Sequence, residues 1–241
     1  MAGLLKALQD PAVFGLAFER IVYAYQNGIG NVVAPVFHLA TIILFFMVIK
    51  YGNKHKKLFA ITFTTIYFWL FLYVGLFMFY KFFQEMGLAC FAFWTPVPFL
   101  LGNVLWKWFK EIKAGEVNLN LSGAKLWRIL VVLPIMAFGF FYPTFIWGKG
   151  FFFHLRDLLF SFYGIMPCPT TMVILGYMTI NYPKVNKGLY NALTLFAVWV
   201  GTLQLLLGYV PDYPLALVGY YALFVKAFHA IQGKKAAAYQ G

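Results

Sequence analysis

The sequence predicts an all-α protein, a polytopic transmembrane helix bundle with about seven spans. Hydrophobic residues make up 63% of its 241 residues and charged residues only 11%, whereas soluble domains have about 45–50% and about 25%. The apolar residues also form runs of about 20, the length that crosses the hydrocarbon core of a bilayer. So few charged side chains would leave a large apolar surface in water, and we therefore expect lipid to be the solvent of this chain.

Seven apolar runs have this length, and we predict helices because a helix satisfies its own backbone hydrogen bonds in lipid. The predicted spans are residues 32–51, 58–79, 86–108, 126–147, 158–180, 189–207 and 214–231. The chain is thereby divided into an interfacial amphipathic segment (1–31), the bundle (32–231) and a short cytoplasmic tail (232–241). For the first segment, a helix lying on the membrane and a helix packed over the bundle ends are both compatible with the sequence.

The distribution of basic residues predicts the orientation of the chain in the membrane. If the spans alternate in direction, fourteen of the 19 lysines and arginines fall on one side of the membrane and five on the other. The positive-inside rule then places the N-terminus outside and the C-terminus in the cytoplasm, which requires an odd number of spans. Three lysines of the first cytoplasmic connection, Lys54, Lys56 and Lys57, are predicted to contact anionic lipid.

Charge and motifs narrow the function classes. The net charge of +12 does not indicate nucleic acid, because the basic residues lie in short loops between apolar runs. The expected partners are membrane lipids, anionic on the cytoplasmic side, and protein subunits. All seven carboxylates, Asp212 among them, lie at or beyond the ends of the predicted spans. This argues against a proton- or sodium-coupled pump, which usually keeps a carboxylate in the membrane. The sequence has no P-loop, zinc-protease or nucleophile-elbow motif, so no enzyme activity is assigned.

The most informative segment is the run MPCPTT at 166–171, near the middle of the fifth span. Two prolines remove two backbone donors, so we predict a helix broken at Pro167-Cys168-Pro169, near the bilayer midplane. Transporters often bind substrates and ions at such breaks. The alternative is that the prolines only kink the helix and Cys168 is a small buried hydrophobic residue. The predicted ligand-binding residues, which include polar residues of other spans, are Cys168, Pro167, Pro169, Thr170, Thr171, Asn103 and His38.

No cofactor is clearly implied. Cys168 is the candidate metal ligand, since a thiolate suits a soft metal such as Cu(I) or Zn(II), but a metal site needs several ligands. A haem between His38 and His154 would need both histidines to face each other on the outer side of the bundle. We expect bound lipid, and neither haem nor a soft metal.

The run FYGIMPCPTTMVIL at 162–175 resembles the signature of an uncharacterised family of bacterial integral membrane proteins, domain of unknown function 6064. Members of this family are similar in carrying a glycine and then PCPT in a late span. The run LGYVPD at 207–212 resembles the family's Leu-Gly-x-Pro-Glu/Asp turn with one extra residue, and AYQN at 24–27 is a weaker match. The resemblance implies a multi-pass protein of the bacterial inner membrane. It implies no activity.

Two functions are compatible with these patterns. The first is binding or permeation of a small molecule or ion around the broken helix. The second is a non-catalytic membrane subunit that anchors or stabilises a larger complex, such as a redox complex, with its short loops and aromatic surface as partner contacts. A hydrated polar cavity reaching Cys168 would favour the first function. A dry, tightly packed interior there, with an apolar flank covered by another chain, would favour the second.

Overall fold

The computed structural model describes residues 20–86, 94–121, 124–146 and 149–238, and these are mostly helical. In chain order the main α-helices are α1 (Asn31–Tyr51), α2 (Lys56–Leu70), α3 (Phe79–Met86), α4 (Pro96–Ala114), α5 (Leu126–Phe141), α6 (Asp157–Phe160), α7 (Pro167–Asn181), α8 (Lys187–Leu206) and α9 (Tyr213–Ala238). A π-helix, Phe71–Met78, joins α2 to α3. A short antiparallel hairpin of β1 (Thr144–Ile146) and β2 (Gly150–Phe152) lies between α5 and α6. Apart from this hairpin, the prediction of an all-α fold is confirmed.

Three helical stretches of the described chain are long and apolar enough to cross a membrane: Arg20–Gln84, Lys187–Leu206 and Val210–Gln232. The first has 65 residues and is interrupted at Gly52, whose φ of 56° ends α1. It therefore contains the first two predicted spans. Helix α5 is apolar but shorter. These helices agree with a membrane protein.

The surface of α1 shows the pattern expected of a helix in lipid. Large apolar side chains recur at intervals of three or four residues and are exposed, which places them in one stripe along the helix. They are Val32, Val36, Leu39, Ile43 and Phe46. Residues 1–19 of the predicted interfacial segment lie outside the described residues. From Arg20 the chain is helical, and Val22 and Tyr25 are buried in the bundle.

The fourth predicted span, residues 126–147, is wrong at its C-terminal end, because α5 stops at Phe141. A proline drives the residue before it out of the helical region, and Tyr142, which precedes Pro143, has φ 17° and ψ 85°. The chain then enters the hairpin, in which Phe145 is paired with Phe151. The apolar composition of this segment made strand and helix look alike in the sequence.

The fifth predicted span, residues 158–180, consists of α6, a non-helical segment at 161–166, and α7. The prolines begin α7 and do not lie inside a longer helix. In a first turn the missing N–H of Pro167 costs no hydrogen bond, and Met166 before it is extended, with φ −123° and ψ 143°. Every residue of α7 is buried, because α5, α8 and α9 pack around it. Helix α7 is thus the central helix, and the segment at 161–166 leads into its first turn.

Candidate functional site

The first turn of α7 brings Cys168 to Asp212, which lies in the turn just before α9. The two residues are only 6% and 1% exposed, and the thiol lies beside the carboxylate. They lie in the runs 162–175 and 207–212. The fold therefore brings two segments that are distant in sequence together at one buried point.

Three further polar side chains surround this carboxylate. The Tyr142 hydroxyl donates to Asp212 Oδ1 at 2.7 Å, and Gln204 Nε2 donates to Oδ2 at 3.2 Å. The Tyr209 side chain lies beside Tyr142. We call Cys168, Tyr142, Gln204, Tyr209 and Asp212 together the Asp212 cluster.

The charge of Asp212 has no cationic partner among the residues that the structure describes. Its surroundings there are polar but uncharged: Cys168, Tyr142 and Gln204. In addition, the Oε1 atom of Gln204 is buried without a hydrogen-bond partner in the described chain. An ionised carboxylate in such a place is costly unless it is paired. A proton or a bound cation at the carboxylate would remove this cost, and the spare amide oxygen beside it can accept a further donor or ligate a cation.

Strand β1 covers one side of the cluster. The Phe145 ring contacts the Tyr209 ring edge to face at 5.8 Å between centroids, and the Phe145 carbonyl accepts a hydrogen bond of 2.5 Å from the Tyr23 hydroxyl. Tyr23 also lines a polar cavity of about 400 Å³, which we call the outer vestibule. Its other lining residues are Gln26, Asn27, Asn31, Thr144, His154, Arg156, Asp157 and Phe160. Tyr23 and Phe145 thus stand between this vestibule and the Asp212 cluster.

The two threonines of the PCPTT run use their hydroxyls within the protein. Thr170 Oγ1 donates to Met166 O at 2.7 Å and accepts from the N–H of Gly164 at 2.9 Å. The Thr171 hydroxyl lies 3.0 Å from the Tyr67 hydroxyl. Gly164 has a φ of 77°, so its place in this turn suits glycine. These threonines hold the start of α7 in place and are not free to bind a ligand.

His38 and Asn103 lie outside the Asp212 cluster. His38 is fully buried, with Nδ1 2.8 Å from Ala34 O and Nε2 3.0 Å from the Ser161 hydroxyl. Both ring nitrogens therefore have protein partners, and His38 anchors the segment that precedes α7. Asn103 is half-buried on α4, and within the described ranges it forms no hydrogen bond to the cluster. The structure brings together Pro167, Cys168, Pro169, Thr170 and Thr171, but it does not add His38 and Asn103 to them.

The structure also describes the surroundings of the candidate metal ligand and of the lysines predicted to contact lipid. In the part of the chain that the structure describes, no three His, Cys, Asp or Glu side chains converge as a metal site would require. Of the predicted lipid-contacting lysines, Lys54 and Lys57 are exposed, whereas Lys56 Nζ donates to Gly115 O at 3.1 Å.

Sequence reasoning found Cys168 but missed the rest of the Asp212 cluster. Asp212 does lie at the end of a helix, as predicted, but the neighbouring elements enclose it, so a position at a span end did not mean exposure to water. A signal was present in the run LGYVPD, where an acidic residue follows an apolar turn. Nothing in the local sequence marks Tyr142 or Gln204, which are added by tertiary packing.

Comparison of the chain with protein-family models, with curated proteins and with solved structures gives no match.

Proposed function

We propose that the protein is a multi-pass membrane protein that binds a proton, or a small cation in its place, at Asp212. The observation that carries the proposal is the enclosed carboxylate, which has hydrogen-bond donors but no cationic partner among the described residues. Ionisable groups inside membrane proteins are costly and usually serve function. Cys168 and the free Oε1 of Gln204 complete a set of groups suited to a small, positively charged ligand.

The route to this site runs from the outer vestibule. We propose that the Tyr209 and Tyr142 hydroxyls pass a proton to Asp212, because Tyr142 donates to Asp212 and Tyr209 lies beside Tyr142. Tyr23 and Phe145 separate the vestibule from these tyrosines. A proton can move along such a chain of hydroxyls when each one rotates. The close packing around α7 does not support an open pore. By the criterion given above, this packing favours the subunit function over permeation, but a proton or a bare cation at Asp212 needs no hydrated cavity at Cys168.

We also propose seven spans, an outer N-terminus and a location in the bacterial inner membrane, for which the basic residues and the family resemblance are the support. In this orientation α7 runs inward and ends at Asn181. At 1.5 Å per residue, Cys168 is about 20 Å from that end. The Asp212 cluster would then lie in the outer half of a hydrocarbon core about 30 Å thick.

Infrared difference spectroscopy on the protein in lipid vesicles tests the proposal. We expect a carbonyl band of a protonated carboxylic acid that changes with pH, or on addition of Na⁺ or K⁺, and that is missing in Asp212→Asn. The matched control is Asp157→Asn, which removes another buried carboxylate, one that accepts a bond from the His154 N–H. This control should keep the band. If the Asp212 band is absent, or responds neither to pH nor to these cations, the proposal is wrong.

A second candidate, a non-catalytic subunit of a larger membrane complex, is favoured by a different observation. Phe153 and Leu155, between β2 and α6, are 77% and 85% exposed and lie outside the three stretches long enough to span a membrane. A photo-crosslinking residue at 153 should give a discrete adduct with another protein in intact cells, while the same residue at Lys113 should not. Adducts with lipid alone would contradict this function.

A further inference from the structure

A long crevice runs between α1 and α5, with α7 as its floor. One part, of about 310 Å³, is lined by apolar side chains that include Phe46, Ala137 and Val173. A second part, of about 600 Å³, shares Phe45 and Leu133 with the first and continues to Ile180. The two parts form one apolar channel along the side of the bundle, which we call the α1–α5 crevice.

The end of the crevice at Ile180 adjoins a cavity lined by basic side chains. Ile180 also lines this third cavity, of about 150 Å³, whose charged lining residues are all basic: Lys125, Arg128 and Lys184. His229 lines it as well. We call this cavity the basic pocket. It lies beyond the C-terminal end of α7, whereas the Asp212 cluster lies at the N-terminal end, so the two sites are separate.

Arg128 is the unusual residue of the basic pocket. It is only 2% exposed, and its guanidinium donates to Tyr182 O and to the His229 ring. Its Nε has no hydrogen-bond partner within the described ranges, and no carboxylate lines the pocket. A buried guanidinium without an anion is costly, and its planar array of donors matches a phosphate group.

We infer that an anionic phospholipid binds here, with its phosphate against Arg128, Lys125 and Lys184 and one acyl chain in the α1–α5 crevice. The crevice is mainly apolar along its length and basic at one end, which matches an anionic amphiphile in both polarity and charge. In the orientation proposed above, the basic pocket faces the cytoplasmic leaflet, where anionic lipids attract basic side chains and where pockets of this kind bind lipid headgroups.

The surroundings of the pocket keep the balance of charge positive. An adjoining cavity shares Lys184 with the basic pocket and contains one carboxylate, Glu116, together with Lys56. Two lysines thus line the same cavity as this carboxylate, and the net charge of the cavity is positive. The pocket differs from a surface cluster of lysines, because Arg128 is buried and fixed by Tyr182 and His229.

Native mass spectrometry of the purified protein in a non-ionic detergent tests the headgroup part. We expect one saturable phosphatidylglycerol per chain, bound more tightly than phosphatidylcholine. The double variant Lys125→Gln/Lys184→Gln should weaken phosphatidylglycerol at least about tenfold, given the contribution of each lysine near anionic lipid. The control Lys113→Gln removes an exposed lysine at the end of α4 and should bind as the original protein does. Arg128 is left in place because its removal could prevent folding.

A second pair of variants tests the acyl-chain part. Ala137→Trp fills the crevice and should weaken phosphatidylglycerol, while Leu130→Trp, at an exposed apolar position of the same helix outside the crevice, should not. Equal binding of the two lipids, or binding unchanged by Lys125→Gln/Lys184→Gln, would overturn the inference. Displacement of phosphatidylglycerol by inorganic phosphate, with no effect of Ala137→Trp, would also overturn it by showing that the pocket takes a soluble phosphate.

Discussion

The hydroxyl of Tyr142 donates a hydrogen bond of 2.7 Å to the carboxylate of Asp212. Tyr142 lies between the last residue of α5, Phe141, and Pro143, and Asp212 immediately precedes α9. The bond therefore ties the end of one helix to the start of another across the first turn of α7, where Cys168 lies. The non-helical backbone after α5 is what allows the Tyr142 ring to reach the carboxylate.

Replacing Tyr142 by phenylalanine should destabilise the protein, because it removes the hydrogen bond to the Asp212 carboxylate. Hydrogen bonds inside membrane proteins contribute about 0.5–2 kcal/mol, so we expect Tyr142→Phe to lower the free energy of unfolding by about that amount. The loss should be smaller in an Asp212→Asn background, because the partner charge is gone. Unfolding in mixed micelles would measure both values.

The control for this cycle is Tyr177→Phe. The Tyr177 hydroxyl is also buried, but it donates to the backbone carbonyl of Leu119 at 2.7 Å. Its loss should cost a similar amount and should not depend on Asp212. If the effect of Tyr142→Phe is the same with and without Asp212→Asn, the two residues are not coupled and the cluster is wrongly described.

Close packing of α8 against α9 depends on Gly201. A Cβ at this position would lie 2.5 Å from the backbone nitrogen of Ala216, which cannot move without shifting α9. We expect Gly201→Ala to destabilise the protein by about 1–3 kcal/mol. At Gly75 the nearest atoms to a new Cβ are at 3.6 Å, an ordinary contact, so Gly75→Ala should leave the melting temperature in detergent nearly unchanged. Equal melting temperatures for both variants would contradict the close approach of these helices.

The sequence predicted the existence of helices better than their ends. Helix α8 agrees closely with its predicted span because Asn186 is a good N-cap, accepting from the N–H of Leu189 at 3.0 Å. The predicted fourth span is longer than α5, because apolar residues continue past Pro143 although the helix ends at Phe141. At 167–169 the prolines predict a break within a helix, but their missing donors suit a helix start equally well. Proline alone does not distinguish these two cases.

The candidate site was predicted only in part, because tertiary packing brings most of its residues together. Cys168 could be singled out because its neighbours in sequence are unusual. Asp212, Gln204 and Arg128 could not, because their importance comes from burial by distant elements, and hydropathy assigns polar residues to span ends without showing what encloses them. Arg128 looked like one of many basic residues near the membrane surface, yet it is buried.

The hairpin should control access to Cys168. In a Cys90→Ser background we expect the folded protein to react slowly with N-ethylmaleimide, because the thiol is buried. Phe145→Ala removes the ring that contacts Tyr209 and should speed labelling several-fold. Phe152→Ala, which removes an exposed ring on the other strand, should not. Identical labelling rates for the two variants would show that β1 does not cover the cluster.

Thr170 should stabilise the start of α7 more than a typical threonine stabilises its helix. Its hydroxyl donates to the carbonyl four residues earlier, at 2.7 Å, and Thr64 does the same in α2, at 2.6 Å. Only Thr170 also accepts from another backbone N–H, that of Gly164. Thr170→Val keeps the shape of the side chain but leaves this buried donor without a partner, which costs about 1–3 kcal/mol. Thr64→Val removes one bond to a carbonyl that is already used by the helix, so its effect should be close to zero. Thermal unfolding of the two variants in the same detergent measures the difference, and equal losses would mean that the bond to Gly164 does not hold the first turn of α7.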